Sequence, residues 1–599
     1  MKQLSMSEGE AIEARDCKVT DMGKVDRLVR AIAAKLPFSS FVYLSICQFV
    51  GAMNDNIFKL LLIYCFIQIE GIEASNRILS LTGACYVLPF IFLSATAGTI
   101  ADRYSKRKII VITRFIEILV FMLGGVAFYL QSKALAITSL VLLGCHSTIF
   151  GPCKLGIIPE LVPKDEISRA NGITTSCTYV AIIVGTFLAS FLADVTDRNF
   201  VFSVFVASLF SIVSFFASLF IKKTPPSGST RKISPWFITE LVKALRIIRR
   251  EPSLLSAVIG SAFFLFIGSF IQLNMIPFAM KNLHLSDVQG GYLFLLTALG
   301  IGVGSLLAGK LSGRTVEFGL VPIGGIGISI CCFLLDHYSD SLIHEIFLIT
   351  IVGIFGGLYL VPLDSYIQVA SPPTYRGQVI ATTNIFGFCG VLFSAGALYL
   401  FSEVFQMSPD KGFAFVGIMT LGIVVAISIS MSGYIVRFFS FIFSYLFFPG
   451  SLRGKDQIPV DAPAIYFVPH SFSPWVLVLI AAQRRRMRLI TVNFPEKLSY
   501  FARIIRKMVP ILDVTSLEEV MPHGEKEDLI SHAADRGTSV VLICSNTTIK
   551  EHAPQFIQAW KTVPNFKPKS YFELHHPETL PNSQTLGSTR MLADLIPVG

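Results

Sequence analysis

The sequence predicts an all-α membrane protein with twelve helices in two halves of six, followed by a small soluble α/β domain. The chain of 599 residues is 53% hydrophobic and only 15% charged, with a mean hydropathy of +0.64. Its apolar runs reach the ~20 residues that cross about 30 Å of hydrocarbon. A chain that crosses a bilayer so often must be helical, because backbone groups in lipid have to satisfy one another.

Twelve such runs are present, and a long basic interval separates the first six from the last six. The spans are expected at residues 40–69, 78–101, 108–131, 135–158, 171–193, 199–221, 254–279, 288–311, 316–335, 342–364, 377–401 and 412–436. The halves are 39–221 and 253–436, joined by a linker at 222–252. An N-terminal tail (1–38), an interfacial segment (437–449) and the α/β domain (450–599) complete the chain.

Loop charges orient the spans. The loop after the second span carries Arg103, Lys106, Arg107 and Lys108, and the linker carries eight Lys and Arg residues, whereas loops on the other side hold at most one each. The positive-inside rule therefore places both termini in the cytoplasm. The net charge of +10 is explained by this topology and by contact with anionic membrane lipids, not by nucleic-acid binding.

Neither a signal peptide nor a disulfide or metal site is expected from the sequence. The first 39 residues have no apolar stretch of the kind a signal peptide needs. The eleven cysteines lie mostly within apolar spans and form no C-x-x-C pair, so neither a disulfide framework nor a metal site is indicated. We expect no cofactor.

The linker contains a short amphipathic helix that begins at Ser234-Pro235, since Ser favours the cap and Pro the first turn. Its apolar face comprises Phe237, Leu241, Leu245 and Ile248. Two placements remain open: the helix lies on the inner leaflet, or it docks beneath the bundle.

Gating residues are indicated by the segment 98–108, which follows the second span and contains Gly98, Asp102, Arg103 and Arg107. It resembles the signature of the major facilitator transporters, with Ser105 where a Gly is usual. The resemblance implies a twelve-helix major-facilitator bundle. A carboxylate at a helix end beside basic residues can form charge-assisted bonds in one state and release them in another.

Charged residues within spans mark a candidate substrate site, since each costs at least ~2.5 kcal/mol near the bilayer centre. Asp55 either contacts substrate or pairs with Lys59 at i+4. Lys154 and Asp364 follow Pro152 and Pro362 by two residues in spans four and ten. They suit a zwitterionic headgroup, or they bridge to each other as a gate.

Two other polar groups within the spans receive structural interpretations. Arg114 and Glu117, spaced i, i+3 in the third span, are interpreted as a pair reaching toward the inner surface. His146 in the fourth span is interpreted as a hydrogen-bonded residue of the bundle.

Several segments narrow the resemblance to the bacterial lysophospholipid transporters, over residues 37–436. The segments are 48–56, 150–156, 159–172 and 353–364, followed by Asn384. The resemblance implies flipping of lysophospholipid from the outer to the inner leaflet of the bacterial inner membrane by alternating access. It implies substrate contacts at Asp55, Asn56, Lys154, Asn171, Asp364 and Asn384, and partnership with a separate acyltransferase or acyl carrier protein synthetase. A transporter of another solute would share the fold.

The tail resembles the glycerolipid acyltransferases but lacks their chemistry. Residues 462–475 match the His-x4-Asp block, with His470 present and Trp475 in place of the Asp that orients the imidazole. Residues 537–548 match the phosphate-binding block, where only Thr547 survives. We expect a degenerate remnant; the alternative is an active fused acyltransferase with a compensating base near His470.

The topology can be tested by labelling single cysteines in a cysteine-free background. A cysteine at Ser229 should react only from the cytoplasmic side and one at Ser339 only from outside, because positive charge stays inside. Labelling of the Ser229 position in intact cells by an impermeant reagent would reverse the assignment of both halves.

Overall fold

The chain divides into two compact units. One comprises Met1–Val316 and Leu320–Ser430, and the other comprises Glu317–Gly319 and Met431–Gly599. A computed structural model describes residues 39–599, except for 72–74, 231–236, 286, 313–315, 338–341, 431–451, 454–463, 470–486, 493–510, 523, 525, 529, 532–538, 562–569, 576–592 and 599. The predicted interfacial segment 437–449 and the residues His470 and Trp475 therefore lie outside the described residues.

The first unit is a bundle of long helices. They are α1 (Ser40–Glu70), α2 (Ser75–Arg103), α3 (Lys106–Tyr129), α4 (Lys133–Gly156), α5 (Ile167–Val195), α6 (Phe200–Leu219), the linker helix α7 (Phe237–Ile248), α8 (Pro252–Lys281), α9 (Asp287–Leu311), α10 (Leu320–His337), α11 (Leu342–Ala370), α12 (Arg376–Tyr399) and α13 (Pro409–Ser430). Among the described residues, twelve helices are long and apolar enough to cross a membrane, which confirms the predicted number of spans.

Local sequence sets several helix ends. The side chain of Ser132 accepts a hydrogen bond from the Leu135 amide at the start of α4, and Asn199 does the same for Phe202 at the start of α6. Such caps satisfy amides that the first helical turn leaves unpaired. Helix α8 begins with Pro252, whose fixed φ suits a first turn.

Small residues determine how closely the helices approach. A Cβ on Gly304 of α9 would lie 2.0 Å from the Ile354 carbonyl oxygen of α11, and one on Gly353 would lie 2.2 Å from the Thr297 carbonyl oxygen. Large apolar side chains such as Phe187 and Phe393 point outward and are exposed. This is the arrangement of a membrane bundle, since lipid accepts apolar side chains and packing between helices requires close contact.

The linker helix α7 docks against the bundle. Glu240, Ala244 and Ile248 are fully buried, whereas Leu241 and Leu245 are only half-buried. Of the predicted apolar face, Ile248 is thus fully buried and Leu241 and Leu245 are not, while Glu240 is buried because its carboxylate finds hydrogen-bond donors in the bundle. Residues 234 and 235, where the helix was expected to begin, lie outside the described part of the chain.

The second unit contains a seven-stranded sheet, in the order β1-β7-β6-β2-β5-β3-β4. The strands are β1 (Leu452–Arg453), β2 (Ala464–Pro469), β3 (Met487–Val492), β4 (Ile511–Val514), β5 (Ser539–Cys544), β6 (Ser570–His575) and β7 (Ala593–Val598). Neighbours pair in parallel except β6 with β7. Helix α14 (Asn546–Lys561) follows β5 and buries Phe556 and Trp560 in an apolar core with Phe467. The adjacent strands β2 and β5 consist almost entirely of apolar residues, as buried parallel strands do.

Candidate functional site

A cavity of about 460 Å³ lies between the two halves of the bundle. Its walls come from α1, α2, α3, α4 and α5 of the first half and from α8, α11 and α12 of the second. The lining mixes aromatic and aliphatic side chains with Asp55, Lys59, Lys154, Asp364 and Asn384. Pockets of about 300–1,000 Å³ with a few convergent polar groups accommodate small organic ligands.

Asp55 is held by hydroxyl groups. Its Oδ2 accepts hydrogen bonds from Tyr86 Oη at 2.9 Å and from Ser147 Oγ at 2.8 Å, while Oδ1 is buried with no hydrogen-bond partner among the described residues. Lys59 Nζ lies 5.6 Å from the centroid of the Tyr86 ring. Tyr86 therefore contacts both charged side chains, and the i, i+4 ion pair considered from the sequence is not formed in this structure.

Lys154 and Asp364 face the same cavity from opposite halves. Asp364 Oδ1 accepts a hydrogen bond from Ser261 Oγ at 2.6 Å, and Lys154 Nζ lies 5.8 Å from the centroid of the Phe150 ring. The two charges are not in contact in this state. Each follows a proline inside its helix by two residues, and a proline leaves one backbone hydrogen bond of the helix unmade.

The predicted asparagine contacts divide into two groups. Asn56 and Asn384 line the cavity. Asn171 does not; it is fully buried on α5, where its amide exchanges hydrogen bonds with Gln368 at 3.1 and 2.7 Å and donates to Ser365 at 3.1 Å on α11. This amide pair joins the two halves at the end of the bundle that carries the basic loops.

Two of the predicted gating residues contact the other half at that same end. Asp102 is fully buried and accepts hydrogen bonds from the amides of Gly377 at 2.6 Å and Gln378 at 3.0 Å, at the start of α12. A Cβ on Gly98 would lie 2.7 Å from Ala381 Cβ, so only glycine lets α2 approach α12 this closely. A carboxylate at a helix N-terminus satisfies free amides and the helix dipole together.

The other motif residues contact the first half. Arg107 donates to the Leu219 carbonyl at 2.8 Å, and Lys106 Nζ lies 2.6 Å from Glu160 Oε1. Arg103 is exposed, with its guanidinium 5.7 Å from the Tyr104 ring centroid. These contacts with Leu219 and Glu160 anchor the loop to the first half.

Sequence reasoning missed Glu240 of the linker helix, which contacts both halves at the end of the bundle that carries the basic loops (the closed end). Its carboxylate accepts hydrogen bonds from Thr99 of α2 at 3.2 Å and from the Gln378 side chain of α12 at 3.0 Å. The Gln378 amide group also donates to the Glu240 carbonyl at 2.8 Å. A single acidic residue within an otherwise basic linker helix was the available signal, but it did not identify partners far away in sequence.

The interpretation of Arg114 and Glu117 as a pair near the surface is wrong. Both are fully buried beside the cavity and form an ion pair. Glu117 Oε1 also accepts from Asn54 and Ser211, each at 3.3 Å. His146 Nε2 lies 3.8 Å from the same carboxylate. Four helices thus converge on Glu117, and their packing supplies partners that make burial of the charges tolerable.

Comparison with known proteins identifies the fold and the family. The sequence profile of the Major Facilitator Superfamily matches residues 44–395, more than half of the chain. The chain belongs to the Major Facilitator Superfamily. Solved structures agree in fold: the human organic anion transporter MFSD10 (TETRAN) is 14% identical with a TM-score of 0.52, covering 65% of this chain and 100% of that one. The E.coli fucose:proton symporter FucP is 13% identical with a TM-score of 0.54, covering 65% and 98%.

Curated relatives in this superfamily share the bundle. The lysophospholipid transporter LplT of Photorhabdus laumondii is 25% identical over 385 residues, covering 63% of this chain and 92% of the relative. LplT of Enterobacter sp. (strain 638) is 25% identical over 380 residues, covering 62% and 89%. The chain is thus a multi-pass membrane transporter of the superfamily, similar to these proteins over its membrane bundle.

In the tail, the loop expected to match a phosphate-binding block is a helix cap. Ser545 Oγ accepts from the Thr548 amide at 3.1 Å and lies 2.7 Å from the Thr548 hydroxyl. The neighbouring Cys544 is buried, and burial raises the pKa of its thiol to about 12, so it is not a thiolate nucleophile at neutral pH. Thr547 lies in the first turn of α14.

The hypothesis that Asp102 and Glu240 hold this end of the bundle closed can be tested by cysteine accessibility. Asp102→Ala and Glu240→Ala should each increase modification of a cysteine placed at Thr383 on the cavity wall, when a polar thiol reagent is added from the basic-loop side. Loss of a helix-end carboxylate costs about 0.5–2 kcal/mol, and one or two kcal/mol shifts such an equilibrium roughly 5–30-fold.

Glu166→Ala is the matched control, since Glu166 is an exposed carboxylate at the same end whose side chain makes no capping bond. Equal modification rates in all four proteins, including the unsubstituted one, would show that these carboxylates do not hold the end closed.

Proposed function

We propose that this transporter flips lysophospholipid from the outer to the inner leaflet of a bacterial inner membrane, with both termini in the cytoplasm. The observation that carries the proposal is the cavity between the halves, on which Lys154 and Asp364 face each other from corresponding positions without pairing. Opposite charges held apart suit a headgroup that carries both a phosphate and an ammonium group.

The remainder of the cavity suits the rest of such a lipid. Its lining includes Phe90, Phe150, Phe264 and Phe388. The ring centroids of Phe90 on α2 and Phe388 on α12 are 4.4 Å apart. An apolar wall beside a charged centre matches an amphipathic ligand, because acyl chains gain from leaving water while the headgroup needs polar partners.

Alternating access supplies the mechanism. The hydrogen bonds of Asp102, Glu240 and Asn171 connect the halves at one end of the bundle. Breaking these bonds would allow the halves to rock about the cavity and expose it to the opposite side. The bonds are numerous but individually modest, so a bound ligand could shift the equilibrium between the two states.

Two experimental changes test the headgroup assignment. Lys154→Ala and Asp364→Ala should each reduce leaflet-resolved uptake of labelled lysophosphatidylethanolamine by proteoliposomes roughly tenfold or more, since a hydrogen bond to a charged group contributes about 1.5–3 kcal/mol. Asp336→Asn is the control, because Asp336 pairs with Lys411 outside the cavity.

The exchange Lys154→Asp with Asp364→Lys separates binding from gating. If the two residues bind the headgroup, the exchanged protein should stay inactive, since each pole of the lipid meets a like charge. Recovery of uptake in the exchanged protein would make the pair a gate. Absence of uptake in the unsubstituted protein would favour another solute.

We also propose that the tail is a degenerate acyltransferase without acyl-transfer activity. Purified protein given an acyl-CoA or acyl carrier protein with lysophospholipid should form no product above background, because no Asp stands at Trp475 to orient His470. In serine proteases, loss of that orientation costs ~10⁴-fold. Trp475→Asp alone should not restore activity, since Ser545 and Thr548 cap a helix instead of presenting an arginine. Turnover that disappears in His470→Ala would establish the enzyme.

A further inference from the structure

Arg114 is held at the cavity by an aromatic ring and a carboxylate. Its Cζ lies 3.8 Å from the centroid of the Phe150 ring, and its Nη1 is paired with Glu117. Glu117 is in turn held by Asn54 and Ser211. A guanidinium stacked on an aromatic face and bonded from behind is pre-organised, so little entropy is lost when it binds a ligand.

Gly51 of α1 makes room for this side chain. A Cβ at Gly51 would lie 2.2 Å from Nη1, 2.7 Å from Nη2 and 2.8 Å from Cζ of Arg114. Gly51, Arg114 and Lys154 all line the cavity. The guanidinium is therefore seated over the backbone of α1, where any other residue in place of Gly51 would displace it.

Among the described residues, the guanidinium of Arg114 has an unpaired nitrogen on one edge. Nε is buried without a hydrogen bond, and the hydrogen bond of the group within the described residues is made by Nη1. Nε and Nη2 form the side-on edge of an arginine, whose two parallel N–H groups match a phosphate or carboxylate. Lys154 shares the Phe150 ring, with its Nζ 5.8 Å from the centroid, so two cations stand at one aromatic side chain.

We propose that Arg114, seated over Gly51 and Phe150, forms with Lys154 the subsite that binds the phosphate of the transported lipid. The inference rests on the proposed lipid substrate and adds to it the group that recognises the phosphate. The planar guanidinium of Arg114 fixes the orientation of the phosphate through its paired N–H donors, while the ammonium of Lys154 supplies a positive charge on a flexible side chain. Asp364, on the opposite half, is left to meet the cationic end of the headgroup.

The test measures binding to the purified full-length protein in detergent. Radiolabelled lysophosphatidylethanolamine is the ligand, and a 1-acylglycerol of the same chain, which lacks phosphate, is the competitor. Arg114→Lys and Gly51→Ala should each raise the Kd for the lysophospholipid about tenfold or more and leave the competition by acylglycerol unchanged. Gly51→Ala retains the arginine and only displaces it, so it decides the question if Arg114→Lys does not fold.

Gly268→Ala is the matched control, since a Cβ at Gly268 meets nothing within 4 Å. A Kd within twofold of the unsubstituted protein in both variants, or equal losses for the two ligands, would overturn the phosphate subsite and leave lysophospholipid transport standing.

If the unsubstituted protein binds no lysophospholipid, lipid transport fails instead. Titration with sn-glycerol 3-phosphate, monitored by the melting temperature, then decides the subsite alone. Stabilisation that is lost in Gly51→Ala supports it, and no stabilisation of the unsubstituted protein overturns it.

Discussion

The contact between the two halves of the bundle is built around one carboxylate, which lies at the start of a helix in the other half. Asp102 ends α2 and accepts two amide hydrogen bonds from α12, at Gly377 and Gln378. Those amides have no partners within their own helix, and the helix dipole favours negative charge there. The interaction requires α2 of one half and α12 of the other to be in contact, so it depends on the relative position of the two halves of the bundle.

Glu240 extends the same principle to the linker. The carboxylate on α7 reaches Thr99 and the side chain of Gln378, so Gln378 is bound through its backbone by one half and through its side chain by the linker. The linker therefore forms side-chain contacts with both halves in addition to connecting them along the chain. Its hydrogen bonds and those of Asp102 meet at Gln378, so the linker and both halves are connected at the same end of the bundle.

Charges within the bundle are satisfied in two different ways. Behind the cavity, Glu117 is surrounded by Arg114, Asn54 and Ser211, as a buried charge requires. On the cavity wall, the described residues give Asp364 a single hydroxyl donor and Lys154 an aromatic ring. The contrast supports a binding role for the wall, because groups with partial satisfaction retain capacity for a ligand.

The sequence by itself determined the number of spans and singled out Asp102, Lys154 and Asp364 as candidates, because hydrophobic length and isolated charges are local properties. Tertiary structure decided which charges meet. Asn171 joins the halves instead of lining the cavity, and Arg114 and Glu117 lie in the interior instead of near the surface. Partners such as Gln368 are distant in sequence, and a helical pattern records spacing along one helix but not which neighbour it faces.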